Sequence, residues 1–325
     1  MGNRLPQGAA ALQQSLQNEN QDRPMQLVAP PEDFVAPARV TARRRPTQTV
    51  PALYPLSVWA HRCRRRVAWM RGGTDWAHDR LAEPLAYRVK THASLLMREL
   101  SADEMRLQRG KVVNLRLASR RVDTLLIRPG ETFSFNKVVG SCTRRRGYVE
   151  GMRLSNGEAR AGVGGGICQL ANLLHWMFLH SELTVLERSE HSFDPFPDKA
   201  RVLPWGVGCS IVYNYVDLVV RNDTPSTFQL LVHVGERHLE GELRSDAPAA
   251  RSYKVDARDE QFIRSGADIF RRNEIWRTVI DKRTGRAVGE ELLKRNCALV
   301  RYEPTGPVVD LALAPRRSEH DILTA

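Results

Sequence analysis

The sequence has few cysteines and no long apolar run. Its five cysteines are far apart and odd in number, and no Cys-x-x-Cys occurs, which argues against a disulfide framework and a zinc knuckle. No apolar stretch reaches the roughly 18 residues that a membrane-spanning helix requires. The N-terminus also lacks the charged and then apolar segments of a secretory signal peptide. We therefore expect a cytoplasmic protein without a membrane span.

Acidic residues are missing from one part of the chain in particular. The formal net charge is +12, and the nine arginines between Arg39 and Arg71 are accompanied by no acidic residue. Such a block suits an anionic partner, which includes nucleic acid, an acidic lipid surface or an anionic polymer. A solvated, flexible arm is the more ordinary interpretation. Nonspecific polyanion contact through residues 39–71 is therefore kept as a partner hypothesis.

Composition and periodicity predict five parts: a disordered basic arm (1–50), a helical N-terminal segment (51–110), a core domain (111–245), a C-terminal β extension (246–305) and a flexible tail (306–325). Within them, residues 84–109 have mostly helical spacing, residues 210–220 alternate like a strand, and a hairpin is predicted over Gly235 and Glu236. We expect an α+β fold in which short antiparallel strands surround a central helix that bears a cysteine.

That helix follows a glycine-rich turn. Gly164, Gly165 and Gly166 allow positive φ and close backbone approach, and Cys168 opens the apolar run behind them. A helix N-terminus favours the reactive thiolate form, which predicts a nucleophile with the N–H groups near Gly166 and Ile167 as an oxyanion site. A buried, inert cysteine after a tight turn fits the same residues. The spacing does not match a nucleotide-binding loop.

A cysteine nucleophile needs a base within hydrogen-bond reach and a group that orients the base. His175 lies on the Cys168 face of the helix but about 10 Å along the axis, so we expect a structural or pocket-wall role for it. His191 follows the next strand and is the candidate base, although an exposed loop histidine fits it too. The candidate orienting groups are Glu190, Asp194 and Asp198.

Three more polar residues are candidate substrate contacts: Gln169, Asn172 and Arg188. Arg188 can hold a substrate carboxylate. Ordinary surface positions are the alternative for Asn172 and Arg188. Cys168, His175 and His191 fit no metal-ligand spacing, and the chemistry expected at Cys168 requires no cofactor.

Five segments resemble, in their order, the VanW family: RPGETFSFNKVVG (128–140), RRGYVEG (145–151), NGEARAGVGGGICQLANLLHWMFLH (156–180), ERSEHSF (187–193) and VDLVVRNDT (216–224). The resemblance extends from about Leu53 to about Glu303. It implies a link to vancomycin resistance and the cell wall. VanW domains in larger proteins stand beside peptidoglycan-binding modules and are proposed to be cysteine L,D-transpeptidases. The resemblance thus implies Cys168 as the nucleophile and His191 as the histidine.

One position departs from the family pattern. Relatives often carry an aspartate where this chain has Gly208. If that aspartate orients the histidine in relatives, another group must do so here.

Two functions follow from the sequence. One is a cysteine acyltransferase that acts on a peptidoglycan stem peptide or precursor, and the other is a non-catalytic accessory protein that binds a peptidoglycan fragment or another anionic ligand.

Overall fold

The computed structural model describes residues 54–97, 102–155, 158–189, 193–194, 202–304 and 306–310. The predicted arm over residues 1–50, the candidate base His191, and residues 311–325 of the predicted tail lie outside these ranges. None of the helices within the described ranges is both long and apolar enough to cross a membrane.

The α-helices of the described chain are α1 (Tyr54–Arg71), α2 (Ala102–Val122), α3 (Phe135–Val139) and α4 (Cys168–Leu179). The strands are β1 (Tyr87–Leu95), β2 (Leu125–Ile127), β3 (Thr132–Ser134), β4 (Glu150–Ser155), β5 (Glu158–Val163), β6 (Thr184–Glu187), β7 (Phe193–Asp194), β8 (Val219–Arg221), β9 (Phe228–Val234), β10 (His238–Ser245), β11 (Arg251–Ser265), β12 (Asp268–Asp281), β13 (Ala287–Val300) and β14 (Val308–Asp310).

Helix α4 is the centre of the main hydrophobic core. Its apolar side packs on an antiparallel sheet in the order β1-β10-β9-β2, and Leu170, Leu173, Leu174 and Met177 are completely or almost completely buried. The packing is close, since a Cβ on Gly241 of β10 would lie 2.4 Å from the Leu173 side chain. These four apolar residues recur at helical spacing, so they share the side of α4 that packs on the sheet.

The C-terminal part of the chain forms a second sheet in the order β14-β11-β12-β13-β7. The long strands β11, β12 and β13 are antiparallel, and β7 and β14 add to the edges in parallel. Because β7 comes from the segment after β6, it links this sheet to the core. Two smaller sheets, β3-β8-β6 and β4-β5, complete the α+β fold, whose class is as predicted.

The helical prediction for residues 84–109, and with it a fully helical 51–110 segment, is wrong. Tyr87–Leu95 is strand β1 and pairs with β10 along its whole length, because tertiary pairing outweighs a helical spacing of apolar residues. Helix α2 starts only at Ala102 and is one helix through Val122.

Two strand predictions also need correction. Of residues 210–220, only Val219 and Val220 belong to a named strand, because the chain makes a tight turn between Val212 and Val216 with Asn214 at φ 54°. Beyond Pro307, the chain is not wholly a tail, since Val308–Asp310 pairs with β11.

Candidate functional site

The glycine-rich turn holds the start of α4 against β4. The helix begins at Cys168, as predicted, and Gly164 and Gly166 have φ of 76° and 94°. A Cβ on Gly165 would lie 2.2 Å from the carbonyl oxygen of Gly151. The glycines are thus required by backbone approach as well as by positive φ.

A buried asparagine on α2 fixes this turn. Asn114 donates from Nδ2 to the carbonyl oxygens of Gly165 (2.9 Å) and Val149 (3.0 Å), and its Oδ1 accepts from the Val149 amide (2.9 Å). Sequence reasoning missed Asn114. Its only signal is a polar residue on the helix face that also carries Ala118 and Val122, both fully buried.

Residues 206–211, which we call the cover segment, run antiparallel along the face of α4 that bears Cys168. The Nδ1 of His175 donates to the Val207 carbonyl oxygen (2.8 Å), and the Asn172 Oδ1 accepts from the Cys209 amide (2.6 Å). At the helix start, the Ile211 amide faces the Cys168 thiol. The cover segment therefore lies over the whole length of the proposed reactive face.

Arg188 and the C-terminal sheet hold the cover segment from its other side. Arg188 donates from Nε and Nη2 to the Gly208 carbonyl oxygen (3.0 and 2.7 Å), and from Nη2 also to that of Gly206. Asn273 of β12 donates to the Trp205 carbonyl oxygen (2.8 Å). Arg188, expected to contact a substrate carboxylate, thus binds the backbone carbonyls of Gly206 and Gly208.

The surroundings of the Cys168 thiol oppose its ionisation. Burial raises the pKa of Cys168, and it outweighs the Ile211 amide, the amide of Cys168 itself and the charge of Arg153, which act in the opposite direction. The direction is opposite to the one that a helix N-terminus predicts. Burial likewise raises the pKa of Cys142 and raises that of Cys209 to about 12, so no neighbouring thiol is activated either.

His175 is held neutral. Burial, aided by the charge of Arg188, lowers its pKa to about 4, and Nδ1 carries the proton because a carbonyl oxygen can only accept. Its ring lines a cavity of about 360 Å³ between α4, β6 and the C-terminal sheet, together with Ile275 and Arg277. His175 is therefore part of a pocket wall and fastens the cover segment.

The other predicted contacts separate into two groups. Gln169 donates to the Leu95 carbonyl oxygen (2.9 Å) and the Ser94 hydroxyl, so it anchors α4 to β1 and points away from the cover segment. The amides of Gly166 and Ile167 make no hydrogen bond within the described residues. These two N–H groups, next to Cys168, are the ones available to an oxyanion.

The predicted base and two of its orienting candidates, His191, Glu190 and Asp198, lie outside the described residues. Asp194 is described and buried. Its carboxylate accepts hydrogen bonds from Tyr302 (2.8 Å) and Arg271 (3.1 Å), so it belongs to an ionic cluster of the C-terminal sheet.

Comparison with known proteins identifies the family. The family model described as VanW like protein matches residues 110–244. The vancomycin B-type resistance protein VanW of Enterococcus faecalis is 32% identical over 273 residues, which cover 83% of this chain and 98% of that protein. The uncharacterized protein YoaR of Bacillus subtilis is 36% identical over 96 residues, 29% of this chain and 32% of that one. No solved structure matches significantly. The chain belongs to the VanW family.

Proposed function

We propose that this protein acts in the cell-wall chemistry of vancomycin resistance, as a cysteine acyltransferase of the L,D-transpeptidase type. The relative named for vancomycin B-type resistance aligns over nearly its full length, which supports the biological setting. The observation that carries the chemistry is the position of Cys168 at the start of α4, beside the free N–H groups of Gly166 and Ile167.

The reaction has two halves. The Cys168 sulfur attacks the carbonyl carbon of the third residue of a stem tetrapeptide, and the two N–H groups stabilise the oxyanion. The bond to the terminal D-Ala breaks, D-Ala leaves with the proton that the thiol gave up, and a thioester remains. An amine of a second stem peptide then attacks the thioester and regenerates the thiol.

His191 is the proposed base, and its neighbours in the chain support it. The carbonyl oxygen of Ser189 accepts a hydrogen bond from the Ser210 amide (2.7 Å), one residue before Ile211, whose own amide faces the thiol. Two residues span at most about 7 Å. A base two residues after Ser189 is therefore within reach of the part of the cover segment that lies over Cys168, which supports the proposal.

The cover segment has to leave the helix before a peptide reaches the sulfur. The raised pKa of Cys168 belongs to the covered state, in which the neutral thiol predominates at neutral pH. Opening breaks the contacts of Asn172 and His175 with this segment and admits water, and it removes the burial that suppresses the thiolate. Substrate entry and thiol activation are thus one event.

The test is release of D-Ala from a stem tetrapeptide by the full chain, with an amine acceptor present. We expect release by the wild type, none by Cys168→Ala, and a strong reduction in His191→Ala. Cys142→Ala is the matched control, because it removes another half-buried thiol near the same turn, and its release should equal that of the wild type. Release by Cys168→Ala at the wild-type rate would refute the proposal.

The surroundings of Cys168 favour a second candidate function, a non-catalytic accessory protein that binds a peptidoglycan fragment. Burial raises the pKa of Cys168, as it does for inert structural cysteines. This candidate predicts that the tetrapeptide binds with equal affinity to the wild type and to Cys168→Ala, and that neither protein releases D-Ala.

A further inference from the structure

Within the described residues, the contacts that attach helix α1 to the rest of the protein lie on one face. Arg65 on that face forms two hydrogen bonds with the Glu187 carboxylate of β6, one of 2.7 Å. The ring of His61 lies 4.9 Å from that of Tyr215, and the Arg62 guanidinium is 5.4 Å from the ring of Tyr213. These contacts fix which side of α1 faces the protein.

The last turn of α1 is attached in the same orientation. The ring of Trp69 lies 6.2 Å from that of Trp76, and Lys137 of α3 is 5.3 Å from the ring of Trp69 and 5.2 Å from that of Trp76. At 100° per residue, Trp69 is only about 40° from Arg65 around the helix. The attached face therefore extends along most of the helix.

The opposite face carries a row of large apolar side chains in solvent. Leu56, Trp59 and Met70 are 59%, 63% and 76% exposed. Viewed along the axis they fall within about 60° of one another, and all lie 120° or more from Arg65. Single exposed apolar residues are ordinary, whereas three aligned on one helix indicate a surface that binds something.

The charge around this row has one sign. Arg64, Arg66 and Arg71 are exposed and flank it, and the 18 residues of α1 contain five arginines and no acidic residue. An apolar stripe bordered by arginines, with aromatic Trp at its centre, is the composition of helices that lie in a membrane interface. The partner must therefore offer both negative charge and an apolar layer.

We propose that this outer face of α1 binds the surface of an anionic phospholipid bilayer. The helix lies in the plane of the interface with Leu56, Trp59 and Met70 at the boundary between headgroups and acyl chains, and the flanking arginines contact lipid phosphates. A nucleic acid would use the arginines alone, and it offers nothing to Leu56 and Met70. The bilayer accounts for both halves of the surface.

The experiment is co-sedimentation of the full chain with vesicles of phosphatidylcholine, alone or mixed with phosphatidylglycerol. We expect binding to the anionic vesicles only. The triple variant Leu56→Ser, Trp59→Ser, Met70→Ser should lower the partition coefficient by about tenfold or more. The matched control is Val202→Ser with Val288→Ser, which removes two apolar side chains of similar exposure (72% and 59%) elsewhere and should bind as the wild type does.

Heparin and duplex DNA separate lipid binding from plain charge attraction. The triple variant keeps every arginine, so its retention on heparin should equal that of the wild type. The variant Arg64→Gln, Arg66→Gln, Arg71→Gln should bind both vesicles and heparin more weakly than the wild type does. All proteins compared retain residues 1–53, so differences arise from α1. Vesicle binding by the triple variant at the wild-type level, or retention of the wild type on DNA without vesicle binding, would overturn the proposal.

Discussion

We predict that the hydrogen bond between Asn172 and the cover segment limits access to Cys168. Replacing Asn172 with alanine leaves the Cys209 amide, which donates to the Asn172 Oδ1 at 2.6 Å, without a partner while the segment is closed. An unpartnered buried N–H costs about 1–3 kcal/mol. Water satisfies the amide in the open state, so the cost falls on the closed state alone. The population of open molecules, and with it the alkylation rate of Cys168, should rise about 5- to 150-fold.

The assay is iodoacetamide labelling at limiting reagent, with each cysteine peptide quantified by mass spectrometry. Cys297, which is exposed on β13, is the internal reference and should label at the same rate in every variant. Gln169→Ala is the matched control, because Gln169 lies on the same helical turn but bonds to β1; its Cys168 rate should equal the wild-type rate. An unchanged Cys168 rate in Asn172→Ala would refute the assignment of this segment as the barrier to the thiol.

Three further predictions concern the framework of the site. Burial raises the pKa of Asp217 to about 6. Because the folded state then binds the proton more tightly than the unfolded state, the free energy of unfolding falls as the pH rises from about 4 to 6. Urea titrations across this range should show that Asp217→Asn abolishes up to about 3 kcal/mol of that fall. Gly165→Ala places a Cβ against the backbone of β4 and should lower the free energy of unfolding by about 3 kcal/mol or more. For Gly289→Ala, whose Cβ meets nothing within 4 Å, the free energy of unfolding should lie within about 0.5 kcal/mol of the wild-type value. Equal melting temperatures of the two variants would contradict the tight turn. Arg65→Ala removes the ion pair of α1 with the part-exposed carboxylate of β6. Trypsin should therefore cleave α1 faster, while the free energy of unfolding of the core falls by about 1 kcal/mol or less. Unchanged cleavage would show that other contacts hold the helix.

Local signals in the sequence were enough to predict the helix at the centre of the fold. The glycine-rich turn and the apolar run behind it correctly predicted the start of α4 at Cys168, and the hairpin over Gly235 and Glu236 is present as predicted. Each of these features depends on residues close in sequence. A helical period or a tight turn can be recognised within a short stretch of sequence.

The cover segment was not predictable in the same way. Its contacts join Asn172 to Cys209 and Arg188 to Gly208, across 37 and 20 residues. The periodicity of apolar residues does not identify contacts between residues so far apart in the sequence. The pKa of Cys168 was predicted in the wrong direction for the same reason. The helix terminus is a local feature, whereas burial depends on how segments distant in the sequence pack around the residue. Strand β1 was misread because its partner β10 is some 150 residues away.

The most direct test of the proposed chemistry is the mass of the intact protein after incubation with a stem tetrapeptide and no acceptor amine. We expect the mass to rise by that of the tetrapeptide less that of the released D-Ala, with the adduct mapped to Cys168 and absent from Cys168→Ala. An adduct on Cys142 instead, or tetrapeptide binding without any adduct at Cys168, would contradict the assignment of Cys168 as the nucleophile.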